Sequence, residues 1–218
     1  MTRPMPRRAV LLGALGCTAL PAAAWAQRPA IQPLTPAEQA LVDRASAYLQ
    51  NLTQAKGRFV QTDARGITTQ GTLYLKRPGK ARFEYDPPAG LLVVSDGGKV
   101  SIANSRLKTF DSYPLAATPL SLFLARTIRL DRGVVISRVA RLADGFSITA
   151  RDGKKEAEGQ ITLNFSDTPL RLIGWTVSDA QGSSTRIRLA SFAPVSGLAP
   201  SLFVLEDPRP RAPGRAKM

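Results

Sequence analysis

After Gly57 the apolar residues of this chain recur at every second position, in short runs that continue almost to the C-terminus. Leu73 and Leu75 stand against Thr72, Tyr74 and Lys76; Ala81, Phe83 and Tyr85 against Arg82 and Glu84; Ile161, Leu163 and Phe165 against Gln160, Thr162 and Asn164; Ile173, Trp175 and Val177 against Gly174 and Thr176. Successive side chains of a β-strand point to opposite faces, so each run predicts a strand with one dry and one wet face. Arg77-Pro78-Gly79, Asp96-Gly97-Gly98, Asp144-Gly145, Asp152-Gly153 and Gln181-Gly182 separate the runs with residues that favour tight turns. The segments between turns from Gly57 to Leu205 amount to roughly eleven short strands in hairpin order. One antiparallel sheet of that size seldom stays flat, so the expected fold is mainly β with few helices, built on a single strongly curved, barrel-like sheet.

Two stretches depart from this period. From Thr35 to Leu52, the residues Ala37, Leu41, Ala45, Tyr48, Leu49 and Leu52 recur at three- and four-residue spacing. Thr35, Pro36 and Glu38 supply a cap, a first-turn proline and a capping-box acid, which predicts an amphipathic helix with a marked start. Thr118 as cap and Pro119 at the first helical position predict a second, shorter helix, with Leu120, Phe123 and Leu124 at helical spacing. A curved sheet with an apolar concave face and two amphipathic helices to cover it is either an ordinary α+β core or a lidded pocket for an apolar ligand.

Both ends of the chain read differently. Arg3, Arg7 and Arg8 precede an apolar stretch, Ala9 to Leu20, that is too short to cross a bilayer, and Ala24-Trp25-Ala26 offers a small-x-small cleavage site. The expected organisation is a secretory signal over 1–26, one folded domain over 27–206, and a disordered basic tail over 207–218 carrying Arg209, Arg211, Arg215 and Lys217. The Arg7-Arg8 pair also fits twin-arginine export. The one cysteine, Cys17, ends Ala14-Leu15-Gly16-Cys17, which is similar to the lipobox of lipid-anchored bacterial proteins; cleavage after Ala26 would remove it and leave no thiol. Cleavage also removes three arginines and no acid, so the formal charge falls from +14 to +11 over 192 residues. On an exported chain that excess suits an anionic membrane surface, an acidic protein partner or solubility rather than nucleic acid.

The absence of histidine excludes Ser-His-Asp and Cys-His catalysis and every His-ligated metal site, and neither a metal nor a cofactor is expected. Ser105-Arg106-Leu107-Lys108 has the Ser-x-x-Lys spacing of penicillin-binding enzymes. It falls at a hairpin, without the Ser-Asp-Asn and Lys-Thr-Gly elements that chemistry needs, and it supports only a remote hydrolase alternative. Asp86, Asp96 and Asp111 occupy turn or strand-end positions where aspartate serves the backbone. The expectation is a protein that is not an enzyme.

The stretch from Gly57 to Phe110 resembles the periplasmic outer-membrane lipoprotein carrier family (LolA). The residues that carry the resemblance are Phe59 and Gln61, then Gly71-Thr72-Leu73-Tyr74-Leu75-Lys76-Arg77-Pro78-Gly79, Arg82-Phe83-Glu84-Tyr85 with Pro88, and Val93-Val94-Ser95-Asp96-Gly97. Tyr113-Pro114-Leu115 with Thr118-Pro119-Leu120-Ser121-Leu122-Phe123-Leu124 is similar to that family's second lid helix, and Leu202-Phe203 before Pro208 to its closing strand. The resemblance implies an unclosed β-barrel lidded by helices, which takes acylated lipoproteins from an inner-membrane lipoprotein-releasing transporter to an outer-membrane receptor, and works as a monomer. It gives Arg77 the role of bonding lid carbonyls and holding the empty pocket shut. The expected pocket and lid residues are Leu41, Leu49, Leu73, Leu75, Phe83, Leu120, Phe123, Leu124, Ile161, Leu163, Phe165, Ile173 and Trp175. Ala81 stands where the family often has a bulkier apolar residue. Burying a methylene is worth about 0.8 kcal/mol, so a dozen of them contribute roughly 10 kcal/mol, and such a chain needs an escort through water. A lipid-anchored receptor of the same fold, suggested by Cys17, and a carrier for another lipid are the alternatives within the fold.

Overall fold

The computed structural model describes residues 33–118, 120–126, 134–153 and 159–207. The predicted signal, Cys17, Pro119 and the basic tail from Pro208 lie outside the described residues.

Helix α1 (Pro36–Asn51) starts where the capping box predicts. The Glu38 N–H donates to the Thr35 hydroxyl at 3.3 Å, and the Thr35 N–H donates to the Glu38 carboxylate at 2.8 Å. These bonds from the Thr35 backbone and hydroxyl hold the Glu38 carboxyl below the usual range. Replacing Thr35 by Ala is expected to cost about 1 kcal/mol, read as a lower urea midpoint at unchanged slope. An unchanged midpoint would mean that the buried face of α1 alone positions the helix. That face is Leu41, Val42, Ala45 and Leu49, each leucine or valine worth about 2 kcal/mol when fully buried.

Eleven strands follow: β1 (Gln54–Thr62), β2 (Thr68–Lys76), β3 (Lys80–Tyr85), β4 (Leu91–Asp96), β5 (Lys99–Asn104), β6 (Thr109–Pro114), β7 (Val134–Leu142), β8 (Gly145–Asp152), β9 (Gln160–Asp167), β10 (Leu170–Ser178) and β11 (Ser184–Pro194). Strand β1 begins three residues before Gly57. All pairings are antiparallel, in the order β6-β5-β4-β3-β2-β1-β11-β10-β9-β8-β7. The first and last strands therefore meet in the middle of the sheet. Its edges are β6 and β7, which share no ladder among the described residues, so the barrel does not close. Register shifts at Arg58/Phe59, Ile136/Arg138 and Leu172/Gly174 add local twist and bend.

Between β6 and β7 the chain forms a 3-10 turn at Leu115–Ala117 and the five-residue helix α2 (Leu120–Leu124). The apolar segment that interrupts the β pattern is thus the link between the two open edges. The Thr118 hydroxyl donates backwards to the Leu115 carbonyl at 2.8 Å and closes the 3-10 turn, while its carbonyl accepts from the Ser121 N–H of α2 at 3.0 Å. Leu202 and Phe203 also differ from expectation. They lie in a 3-10 turn at Pro200–Phe203 rather than a strand, because Pro200 has no N–H for a ladder. Side chains of the sheet's outer face hold this segment instead, with Lys76 Nζ donating to the Leu198 carbonyl at 2.7 Å and Arg82 to the Leu202 carbonyl at 3.3 Å.

The concave face and the two helices enclose one apolar cluster. It joins Leu41, Val42, Ala45 and Leu49 of α1, Phe123 and Leu124 of α2, and inward residues of the sheet from Phe59 to Ile187.

Candidate functional site

The turn between β2 and β3 makes contact with both helices. The last carbonyls of a helix lack partners within it and carry partial negative charge, and α1 has no basic residue in its own last turn. Arg77 supplies one from the sheet: its guanidinium donates to the carbonyl of Leu49, and its backbone N–H donates to the Thr53 carbonyl at 2.8 Å. Burial lowers the Arg77 pKa, and its Nε is buried with no hydrogen-bond partner among the described residues. Two residues on, the Gly79 N–H donates to the carbonyl of Leu124, the last residue of α2, at 2.8 Å.

The neighbouring turn shapes this contact. Gly79 has φ +76°, and a Cβ there would lie 2.6 Å from the Gly97 Cα, so the position accepts only glycine without rearrangement. The buried hydroxyl of Ser95 donates to the Gly79 carbonyl at 2.6 Å. Lys-Arg-Pro-Gly and Ser-Asp-Gly, two separate motifs in the sequence, are therefore one structural node that bonds the ends of α1 and α2.

Beneath α2 the ring of Phe123 stacks on Trp175, with centroids 5.4 Å apart and planes at 28°. Trp175 meets Phe83 edge-on at 6.2 Å; Phe59 meets Phe83 at 5.5 Å and Tyr85 at 5.1 Å in the same way. Such pairs add to the area they bury and fix the relative orientation of the rings. Next to them lies a cavity of about 210 Å³, lined by Gln61, Phe83, Tyr85, Val93, Thr118, Leu120, Trp175, Val177, Thr185 and Ile187, with no charged side chain among the described residues. It opens to solvent on one side, and an apolar cavity of about 150 Å³ already holds a benzene.

Within the cavity wall the Tyr85 hydroxyl donates to the Gln61 side-chain carbonyl at 2.6 Å. Burial pushes the Tyr85 pKa up to about 12. The folded protein therefore keeps the phenol neutral where the unfolded chain ionises. Stability is complete below pH 10 and falls between pH 10 and about 12, by up to roughly 3 kcal/mol. Urea melts across that interval in the parent and in Tyr85→Phe are expected to diverge; parallel curves would deny Tyr85 this role.

Of the residues expected at the site, Leu41, Leu49, Leu73, Leu75, Phe83, Phe123, Leu124, Ile161, Leu163, Phe165 and Trp175 are buried in the single cluster, with Leu120 half-buried against it. Ile173 is not part of it. It is 42% exposed, because Leu172 pairs with Phe165 and Gly174 with Asn164, leaving Ile173 as the extra residue of a bulge. The bulge turns Leu172, at 3% exposure, inward in its place. The expected site residues also leave out Val42, Phe59, Gln61 and Ile187, and Tyr85, which alternation places on the dry face. Phe59 and Gln61 share the inward register of β1, a signal that hydropathy alone hides because Gln61 is polar.

The remaining candidates have local roles. The Ser105 hydroxyl donates to the Gly90 carbonyl at 3.2 Å, and Lys108 occupies the hairpin tip with φ +54°. Asp86 forms a bidentate ion pair with Arg58, which holds its carboxyl low. Asp96 accepts from the N–H groups of Gly98 and Lys99 at 2.8 and 2.9 Å.

Compared with known proteins, residues 50–206 match the model of the family described as "Outer membrane lipoprotein carrier protein LolA". An outer-membrane lipoprotein carrier protein of Methylobacillus flagellatus is 28% identical over 173 residues, 74% of this chain and 82% of that one. That of Chromohalobacter salexigens is 25% identical over 206 residues, 89% of this chain and 91% of its own. Among solved structures, a LolA superfamily protein of Nitrosomonas europaea superposes with a TM-score of 0.46 at 10% identity, over 77% of this chain and 97% of that one. The open eleven-stranded sheet, its covering helices and a match that runs through β1 to the closing 3-10 turn place this chain in the LolA family of outer membrane lipoprotein carrier proteins.

Proposed function

We propose that this chain takes the acyl chains of lipoproteins between its curved sheet and its two helices, and carries them through the periplasm from the inner to the outer membrane. One observation carries the reading. A single turn, residues 77–79, bonds the last turn of α1 through Arg77 and the end of α2 through Gly79, above an apolar interior. Few hydrogen bonds then separate a closed form from an open one. Methylenes entering the interior gain about 0.8 kcal/mol each, and part of that gain is offset by breaking the turn's contacts, which leaves the ligand releasable. Arg77 is the latch in this scheme. The partners it implies are acylated lipoproteins, an inner-membrane transporter that loads the carrier and an outer-membrane receptor that unloads it.

Depletion of the protein is expected to leave outer-membrane lipoproteins in the inner-membrane fraction on a density gradient. Normal sorting in depleted cells would end the proposal.

A further inference from the structure

We propose that Gln61 and Tyr85 form a neutral polar seat that takes the carbonyl oxygen of an acyl ester, so that the cavity selects esterified acyl chains over free fatty-acid anions. The inference rests on the acyl-pocket reading above and adds which end of the ligand the cavity recognises, and by what chemistry.

The two side chains come from different strands, β1 and β3, and meet on the cavity wall. Because the Tyr85 hydroxyl bonds the Gln61 carbonyl oxygen, the Gln61 amide is held in one orientation, and its two N–H donors have no partner among the described residues. Those donors match a carbonyl oxygen. The other polar residues of the wall, Thr118 and Thr185, are also uncharged. Tyr85 is the one titratable group among the described residues of the wall, and it stays neutral through the physiological range.

A carboxylate at this wall would give up part of its water without meeting a cation among the described residues, a cost that favours taking up a proton instead. With an ordinary carboxyl pKa of about 4–5, roughly one molecule in a thousand or fewer is protonated at pH 8. An ester suffers no such penalty. A neutral hydrogen bond from Gln61 adds a further factor of about five to ten.

Trp175 reports directly, since it lines the cavity and becomes the sole tryptophan in a chain carrying Trp25→Phe. Quenching of its fluorescence by methyl 9,10-dibromostearate and by 9,10-dibromostearate should show the ester binding at least tenfold more tightly at pH 8. The gap should narrow towards pH 5 because only the acid responds to pH. Gln61→Leu and Tyr85→Phe should each weaken ester binding about five- to tenfold and leave the acid nearly unchanged; Tyr85→Phe keeps the ring packing should Gln61→Leu fail to fold. Equal quenching by ester and acid at pH 8 overturns the proposal and leaves the pocket standing. An ester preference that survives both substitutions overturns the assignment to Gln61 and Tyr85. Quenching by neither compound overturns the pocket reading and this inference together.

Discussion

A chain carrying Arg77→Leu is expected to bind acyl chains roughly tenfold more tightly than the parent and to hand them on more slowly. In the closed form the guanidinium bonds the Leu49 carbonyl. A hydrogen bond to a charged group is worth about 1.5–3 kcal/mol where water is scarce, and much less once the helix has lifted and both groups are solvated. Its removal therefore penalises the closed form selectively. Apparent affinity scales with the fraction of molecules able to bind, so the shift appears as tighter binding. The folded protein should lose no more than about 1.5 kcal/mol, which is the penalty on the closed form that a tenfold change in affinity corresponds to. Titration by Trp175 quenching and a reconstituted transfer assay between membrane fractions measure the two effects. Unchanged affinity together with unchanged hand-off would remove Arg77 from the latch.

Trp175→Ala is expected to cost about 4 kcal/mol of stability, a large share of the roughly 5–15 kcal/mol of an ordinary domain. Trp175 is 2% exposed, stacks on Phe123 and meets Phe83 edge-on, so its loss leaves a cavity between sheet and helix. A helix of five residues does not stand alone in water; α2 depends on that stack. The amide of Gly79, which donates to Leu124, should lose its protection from hydrogen exchange. Equilibrium urea unfolding gives the first number and exchange at Gly79 the second. A loss under about 1 kcal/mol with Gly79 still protected would show that α2 is held by other contacts.

The strands were legible because each is a local pattern. Leu73 and Leu75, Phe83, and Ile161 to Phe165 alternate cleanly and point inward as the period requires. Ile173 failed for a reason the same pattern cannot show. The bulge lets Leu172 rather than Ile173 share the inward face with Trp175, and the clean alternation of Ile-Gly-Trp-Thr-Val carries no mark of the inserted residue until the partner strand is placed. Gln61 belongs to the motif that carries the resemblance but not to the expected pocket residues, since a polar side chain on a dry face has no hydropathy signature. The hydrogen bond from Gly79 to Leu124 joins backbone atoms far apart in sequence and leaves no trace in residue identity.

By itself the sequence determined the number of strands, the turns between them, the capped start of α1 and the motif residues of the LolA resemblance, because periodicity, turn geometry and capping act over a few residues. Only the tertiary structure decided that β1 and β11 meet at the centre, that the sheet stays open between β6 and β7, and that Arg77, Gly79, Ser95, Leu49 and Leu124 form one node. These depend on the pairing of distant strands and on the curvature summed over the whole sheet.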